Sequence, residues 1–507
     1  MRNQGLGSWM LRRARMTPRR TALVHGGNAW TYGQVHEQVT RLANAFRDLG
    51  IKHGDRVAYL GPNHPAFLET LFATGAVGAI FVPLNARLAG PELVSALGDS
   101  GSSLLVYAPE VSQLVASIRP QLWTRHFVSL EADTGGAHHY LDLVARASIA
   151  VFDEPVELDE PCMIMYTSGT TGRAKGATLT HANATWNCFN VIIDVDVAGD
   201  EVSLVSAPLF HTAALNMLCL PTLLKGGTAV LVSSFDSERA FDLIEAYRVT
   251  WMFGVPAMFN AMAQSRRWPD ADLSSVRILM CGGAPVPEGL IHTYQRRGLT
   301  FLQGYGMTET APGALFLSRH MESRVGSAGK QSFFTDVRLV RPDLSHAAVG
   351  EPGEIVVQGP NVMKGYWGQP EATAVALAEG TWFRSGDVAV VDEEGFFYVR
   401  DRIKDMIISG GENIYPAEIE AVLYQHPCVA ECAVIGVPDE KWGEVGRAIV
   451  VLKQGEQATE EQLLGSLQGK VAKYKVPKSI EFVDMLPRTG SGKVDKRKLR
   501  AGVGGAA

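Results

Sequence analysis

Long apolar runs are missing from this sequence. None reaches the roughly 18 residues that a membrane-spanning helix needs, and the best candidate, His211 to Gly227, is interrupted by Pro221 and closed by a glycine pair. A soluble chain is expected. An excess of one charge is missing too: the formal net charge is -6 over 507 residues, too small a bias for a chain that binds nucleic acid by charge. Cysteine is sparse and unpatterned. The six residues, Cys162, Cys188, Cys219, Cys281, Cys428 and Cys432, are scattered, mostly in apolar runs where a free thiol packs as a small hydrophobe. This usage fits a reducing compartment and a cytoplasmic protein. Cys428 and Cys432 stand four apart, but no second pair or spaced histidine pair completes a zinc site, and His138-His139 fall in a polar connecting stretch. No G-x-S-x-G elbow is present to supply a nucleophilic serine. Repeats of roughly 20 to 50 residues are absent, and the only low-complexity tract is the "AGVGGAA" tail.

What remains is an ordinary globular composition, 46% hydrophobic and 20% charged, long enough for at least two domains. The arginine-rich start has no acid before Glu37, as transit peptides do, but Leu6, Trp9, Met10 and Leu11 read better as the apolar side of a first amphipathic helix. Over the first 300 or so residues, β-rich runs such as "RVAYLG", "SLLVYAP", "CMIMYT", "SLVSAPLF", "TAVLVSS" and "VTWMFGVP" alternate with helical patterns such as "PAFLETLFATGAVGA" and "ERAFDLIEAYR". That alternation predicts parallel sheets covered by helices. From about Gly350 the rhythm becomes hairpin-like, with Glu394-Gly395 as a turn, so a smaller β subdomain is expected. After Asp401 come "YPAEIEAVLYQHP" and "EEQLLGSLQGKVAKY" as helices and "VAECAVIGV", "RAIVVL" and "SIEFVDM" as strands, enough for a separate small domain.

The stretch "YTSGTTGRAKG", Tyr166 to Gly176, has the glycines, hydroxyls and lysine that wrap phosphate oxygens. It is not the P-loop pattern. Gly169 and Lys175 have that spacing, but Ala174 replaces the second glycine and Gly176 the magnesium-binding hydroxyl. Such clusters are also common as plain loops. Further along, "CGGAPVP" follows the apolar run "VRILM" and offers close backbone approach to a flat ligand. In "GYGMTET", Gly304 to Thr310, Tyr305 can stack on a base, Thr308 can bond phosphate and Glu309 can hold magnesium. "WFRSGD" presents Asp387 at a strand edge, where its carboxylate can accept from both ribose hydroxyls or merely cap a turn. "RDRIKDMIISGGENIYP" and "PRTGSGKV" close the series, the second carrying Lys493 behind Gly490-Ser491-Gly492.

These stretches in this order resemble the adenylate-forming superfamily of acyl-CoA synthetases, luciferases and peptide-synthetase adenylation domains, over about Thr21 to Leu499. The opening stretch resembles that family's own phosphate loop, with Ala174 in place of its usual proline. The resemblance implies a large N-terminal α/β domain of parallel sheets plus a β subdomain, residues 1–401, and a small mobile α+β C-terminal domain, residues 402–507, hinged at 402–404. It implies that Thr167, Ser168, Gly169, Thr170, Thr171, Gly172 and Lys175 cradle phosphates. Gly283, Ala284 and Tyr305 would flank adenine, within the nucleotide-binding run Gly304, Tyr305, Gly306, Met307 and Thr308, with Thr308 on the α-phosphate. Asp387 and Arg402 would hold ribose, and Glu309 with Thr167 would bind magnesium. Lys493 is implied as the lysine that bridges carboxylate and α-phosphate. Lys404 falls at the hinge, whose rotation would bring Gly410, Gly411 and Trp442 to a thiol tunnel gated by His211.

The implied co-substrates are ATP and coenzyme A, with magnesium as cofactor and a small carboxylic acid as substrate. Nucleic acid is not an expected partner, and a homodimer is compatible with the resemblance. Peptide-synthetase adenylation domains carry an aspartate near the position of His211, which this chain lacks, and no carrier domain follows Lys493. "PDEKWGE" matches the acyl-CoA synthetase form, and Lys473, Lys475 and Lys478 either meet coenzyme A phosphates or form a solvated helix end. The narrower resemblance, in "MRNQGLGSW", "GPNHPAFLETLF" and "CLPTLLKGGT", is to actinobacterial feruloyl-CoA synthetases. The alternative is a medium- or long-chain fatty-acyl-CoA synthetase, which shares "CGGAPVPEGLI", "FFTDV" and "DMIISGGENIYPAEIE"; a more remote one is a non-catalytic nucleotide sensor. Asn216, Met217, Phe253, Met258 and Ala311 to Leu315 are the pocket candidates: a flat slot suits an aryl acid and a long apolar channel suits an alkyl chain.

Overall fold

The computed structural model describes residues 2–132, 135–167, 174–410, 412–489 and 493–503. Among the described residues, four sheets carry the fold. The first orders Gly365–Tyr366, Lys175–Thr180, Pro161–Thr167, Ile80–Leu84, Arg56–Leu60, Leu104–Tyr107, His126–Ser129 and His138–His139. It is parallel from Pro161–Thr167 through His138–His139 and antiparallel at the other edge. The second runs from Lys330–Gln331 through Gly313–Phe316, Phe301–Gly306, Ile278–Cys281, Trp251–Gly254, Val202–Val205 and Thr228–Leu231 to Thr21–His25 and Asn28–Thr31. Its centre is parallel and both edges are antiparallel. The expected α/β class holds, with mixed sheet edges.

Helices between the two sheets make one large core. The helix Pro65–Ala76 has eleven buried positions, and Phe67 meets Tyr59 and Phe81 edge-on at 5.1 Å each. A helix this apolar all round has to lie between layers, because no face of it is suited to water. The first amphipathic helix, Trp9–Met16, is present, and it buries Trp9 and Met10 while its arginines stay partly exposed.

The third sheet, Asp336–Val340, Gly353–Gln358, Trp382–Val391, Leu377–Ala378 and Phe397–Arg402, is antiparallel throughout. Its Glu394-Gly395 turn is as expected, with Gly395 at φ 83°. The fourth, Glu412–Ile414, Ile407–Ser409, Gly443–Leu452, Val429–Asp439 and Ser479–Phe482, packs with the helices Pro416–Leu423 and Glu460–Leu467 around its own core.

Three expectations need correction. The second of these helices ends at Leu467, well short of the predicted extent; Gly469 takes φ 75° just beyond it, a left-handed turn that stops the pattern. The strand predicted over "SLVSAPLF" ends at Val205, and the residues after it turn toward His211. His138-His139 is a short edge strand rather than a connecting stretch. Cys428 is partly exposed and donates to Glu456, whereas the other five thiols are buried.

Candidate active site

The described parts of the phosphate-loop stretch are its two ends. Thr167 and Lys175 face each other across the hairpin of Pro161–Thr167 and Lys175–Thr180, so the intervening loop starts and finishes at one point. Thr167 Oγ1 donates to Lys175 O at 3.4 Å. Ser168, Gly169, Thr170, Thr171 and Gly172 lie outside the described residues. Lys175 Nζ stands 4.9 Å from the centre of the Tyr366 ring, a cation over a π face. The Tyr366 hydroxyl donates to Glu309 Oε1 at 2.9 Å. One tyrosine therefore ties Lys175 to Glu309. Nothing in the motif reading singled it out, since "KGYW" offers only a tyrosine after a glycine.

Glu309 lies in the turn Thr308–Thr310, directly after the strand Phe301–Gly306. Burial raises its carboxyl above the ordinary range, opposed by the Tyr366 hydrogen bond and by the charges of Arg402 and Lys493. The residue's own backbone N–H also bonds the carboxylate. A carboxylate oriented by a tyrosine and by its own backbone is a fitting donor for a hard divalent cation shared with phosphate.

Asp387 is 5% exposed and sits directly across the hairpin from Arg402. Tyr305 Oη donates to its Oδ2 at 2.7 Å. Its Oδ1 is 3.1 Å from Arg402 Nε, but the two are not aligned for a hydrogen bond, and this buried oxygen has no aligned donor among the described residues. Such an oxygen is costly unless a ligand hydroxyl completes it.

The glycines divide by what surrounds them. A Cβ on Gly282 would meet Gly304 O at 2.9 Å, and one on Gly306 would overlap Pro312 O, so both are required by neighbouring backbone. Gly304 packs near Phe316. Gly283, at φ 80°, and Ala284 are exposed, leaving this turn open to a flat ligand. Met307 packs against the main core, and Thr308 starts the Glu309 turn.

Lys493 carries its charge into the same cluster. The residue as a whole is exposed, yet protein surrounds the ammonium: desolvation, then Arg402 and Lys404, lower its pKa, while Asp387 and Glu309 oppose the shift. Lys404 follows the strand Phe397–Arg402 in a turn where Asp405 and Met406 donate to Arg402 O, and burial likewise lowers its pKa. His211 also feels the charge of Lys493. Its pKa falls to about 4, from burial first and then from Arg87 and Lys493, so the ring is neutral at neutral pH. Its Nε2 is buried and without a partner among the described residues. Arg87 is a second residue the motifs did not reveal, because it sits in an unremarkable loop after the strand Ile80–Leu84.

Gly410 and Trp442 form a separate cluster on the small sheet. Gly410, at φ 59°, donates to Trp442 O at 2.8 Å, and a Cβ there would lie 2.7 Å from the indole. Gly411 lies outside the described residues, as do Gly490, Ser491 and Gly492. No hydrogen bond or ion pair joins Gly410 or Trp442 to Glu309, Asp387 or Lys493 among the described residues. Lys475 is held by Glu418 at 2.7 and 2.9 Å, so it is paired within the small domain. Among the pocket candidates, Asn216 Nδ2 donates to Ala311 O at 3.3 Å, and Asn187 bonds both Asn216 O and Gly313 N. Phe253 and Met258 are buried in the main core.

The AMP-binding enzyme family matches residues 10–367, and the AMP-binding enzyme C-terminal domain matches residues 418–493. A feruloyl-CoA synthase of Amycolatopsis sp. is 58% identical over 505 residues, covering 99% of each chain. A long-chain-fatty-acid–CoA ligase of Mycobacterium tuberculosis is 40% identical over 507 residues, 99% of this chain and 98% of the other. The crystal structure of an anthranilate CoA ligase in complex with anthranoyl-AMP superposes with a TM-score of 0.94 at 26% identity, over 100% of this chain and 99% of that one.

Proposed function

Because this chain belongs to the AMP-binding enzyme family and is an AMP-forming acid–CoA ligase, we propose that the acid it activates is a hydroxycinnamate such as ferulate. The observation that carries this reading is the 58% identity to a feruloyl-CoA synthase, set against 40% for the long-chain-fatty-acid ligase. ATP and coenzyme A are its co-substrates. The reading divides the chain into an adenylation domain, residues 1–401, and a small domain, residues 402–507, that turns at Arg402 to Lys404.

In the first half-reaction an oxygen of the acid's carboxylate attacks the α-phosphorus of ATP. The bond from that phosphorus to the bridging oxygen breaks, and pyrophosphate leaves with the electron pair. The residues from Thr167 to Lys175 hold the departing phosphates, Thr308 contacts the α-phosphate, Tyr305 with Gly283 and Ala284 flanks adenine, and Asp387 with Arg402 takes the ribose. Glu309 and Thr167 would hold magnesium, which neutralises phosphate charge when bound. Tyr366 keeps Glu309 oriented for that role. Lys493 places its ammonium between carboxylate and α-phosphate, where negative charge grows. Its charge contacts with Asp387 and Glu309 support reading the present arrangement as that of this step.

In the second half-reaction the thiolate attacks the acyl carbonyl, the carbon–oxygen bond of the mixed anhydride breaks, and AMP leaves. Rotation at the hinge would withdraw Lys493 and present Gly410, Gly411 and Trp442 to the thiol arm. Neutral His211, whose Nε2 has no partner among the described residues, gates that approach. The reading extends to a cytoplasmic protein whose assembly, with a homodimer as the first candidate, is measured by light scattering.

Product analysis with ferulate, ATP, magnesium and coenzyme A tests the proposal. One AMP and one pyrophosphate per feruloyl thioester is expected. ADP and phosphate in their place, or no thioester at all, would overturn it.

A further inference from the structure

The segment that carries His211 is held by a residue from beside the other sheet. Asn63 is 3% exposed and lies between the strand Arg56–Leu60 and the helix Pro65–Ala76. That lead-in is rigid, because His64 Nδ1 caps the helix by accepting from Ala66 N at 3.1 Å and Pro65 occupies its first turn. From there the Asn63 amide reaches across to the carboxyl end of the strand Val202–Val205 in the second sheet. Its Nδ2 donates to Val205 O at 3.3 Å and to Ala207 O at 2.9 Å, and its Oδ1 accepts from Leu209 N at 2.7 Å. Leu209 lies inside the turn closed by His211 N donating to Pro208 O at 3.1 Å. Both amide hydrogens and one lone pair thus grip the segment that delivers His211.

His211 Nε2 has no partner of its own among the described residues. That nitrogen does not steer the ring, which leaves the backbone and the packing of Phe210 to place it. The next residues begin a helix, with Leu215 N donating to His211 O at 3.2 Å, and Phe210 packs edge-on against the imidazole at 4.7 Å.

We infer that Asn63 is a positioning residue for His211, a clamp between the two sheets that sets where the gate of the thiol approach stands. The inference rests on the reading of His211 given above. Only an amide satisfies all three groups: aspartate can accept from Leu209 N but turns a second oxygen toward two carbonyls, and alanine leaves all three unmade.

The test measures the two half-reactions separately on the same preparations of Asn63→Asp, Asn63→Ala, His211→Ala and the double variant Asn63→Ala with His211→Ala. Adenylation is read as ferulate-dependent pyrophosphate–ATP exchange, and thioester formation as the reaction of supplied feruloyl-AMP with coenzyme A. Their ratio does not depend on the folded fraction, so a partly folded variant still reports. Both Asn63 variants are expected to lower thioester formation relative to exchange by roughly ten- to a hundredfold, the scale of a small misplacement. His211→Ala should show the same selectivity, and the double variant should be no worse than His211→Ala alone. Equal loss of both half-reactions in the Asn63 variants, or losses that multiply in the double variant, overturns the inference and leaves the gate reading standing. Normal thioester formation by His211→Ala overturns the gate reading itself, whatever the Asn63 variants do.

Discussion

Asp387→Asn separates ribose binding from folding. The change keeps the shape and an oxygen for Tyr305 Oη, which now donates to Oδ2 at 2.7 Å, and removes the charge and one acceptor oxygen. A hydrogen bond to a carboxylate is worth about 1.5–3 kcal/mol, and with its one oxygen kept by Tyr305 the variant turns an NH2 group rather than an acceptor toward the ribose. If both ribose hydroxyls donate to Asp387, the loss is at least roughly 3 kcal/mol, or about 150-fold or more in AMP affinity. Without nucleotide the amide NH2 would face Arg402 Nε, 3.1 Å from the present Oδ1, with no acceptor, so the variant should be somewhat less stable than the parent. Calorimetric titration with AMP, and then with 2′,3′-dideoxy-AMP, checks the assignment. The parent should lose most of its affinity with the dideoxy ligand and the variant little more than it has already lost. An equal penalty in both proteins would refute the placement of ribose on Asp387.

Lys493→Ala should abolish pyrophosphate–ATP exchange while sparing thioester formation from supplied feruloyl-AMP; equal loss of both would remove its proposed role. Lys404→Pro forces Ile403 toward extended backbone in the turn that Asp405 and Met406 close on Arg402. It should slow thioester formation more than adenylation, and unchanged thioester formation in rapid-quench experiments would count against the rotation. His181 is 1% exposed, and burial holds its pKa at about 4. The folded state therefore favours the neutral ring, and its contribution is complete above the unfolded value near 6.5 and declines as pH falls toward 4. At pH 5.5 this amounts to about 1.4 kcal/mol. Urea melts of His181→Gln should show a flatter fall in stability between pH 7 and 5, and an unchanged slope would contradict it.

The alternation of strand and helix was legible because each period is local, and so was the switch to hairpins near Gly350. Asp387 and Arg402 could be named from the sequence, but their register across one hairpin could not. Tyr366 and Asn63 escaped notice for a different reason. Each acts through partners distant in sequence, Glu309 for one and Val205 to Leu209 for the other, and a single tyrosine on a two-residue edge strand or a single asparagine in a loop gives no spacing signal. The helix predicted over "EEQLLGSLQGKVAKY" ran on because its apolar spacing continues past Gly469, whose left-handed conformation decides the end. The strand over "SLVSAPLF" was overextended similarly: β propensity persists after Val205, but Asn63 draws the backbone into a turn.

The most direct measurement is coenzyme A-dependent AMP release with ferulate, 4-coumarate, caffeate, octanoate, decanoate and palmitate, compared as kcat/KM because that ratio reports discrimination between acids. The account predicts that the hydroxycinnamates lead by about tenfold or more, ~1.4 kcal/mol of transition-state preference. A lead for any of the fatty acids would contradict it.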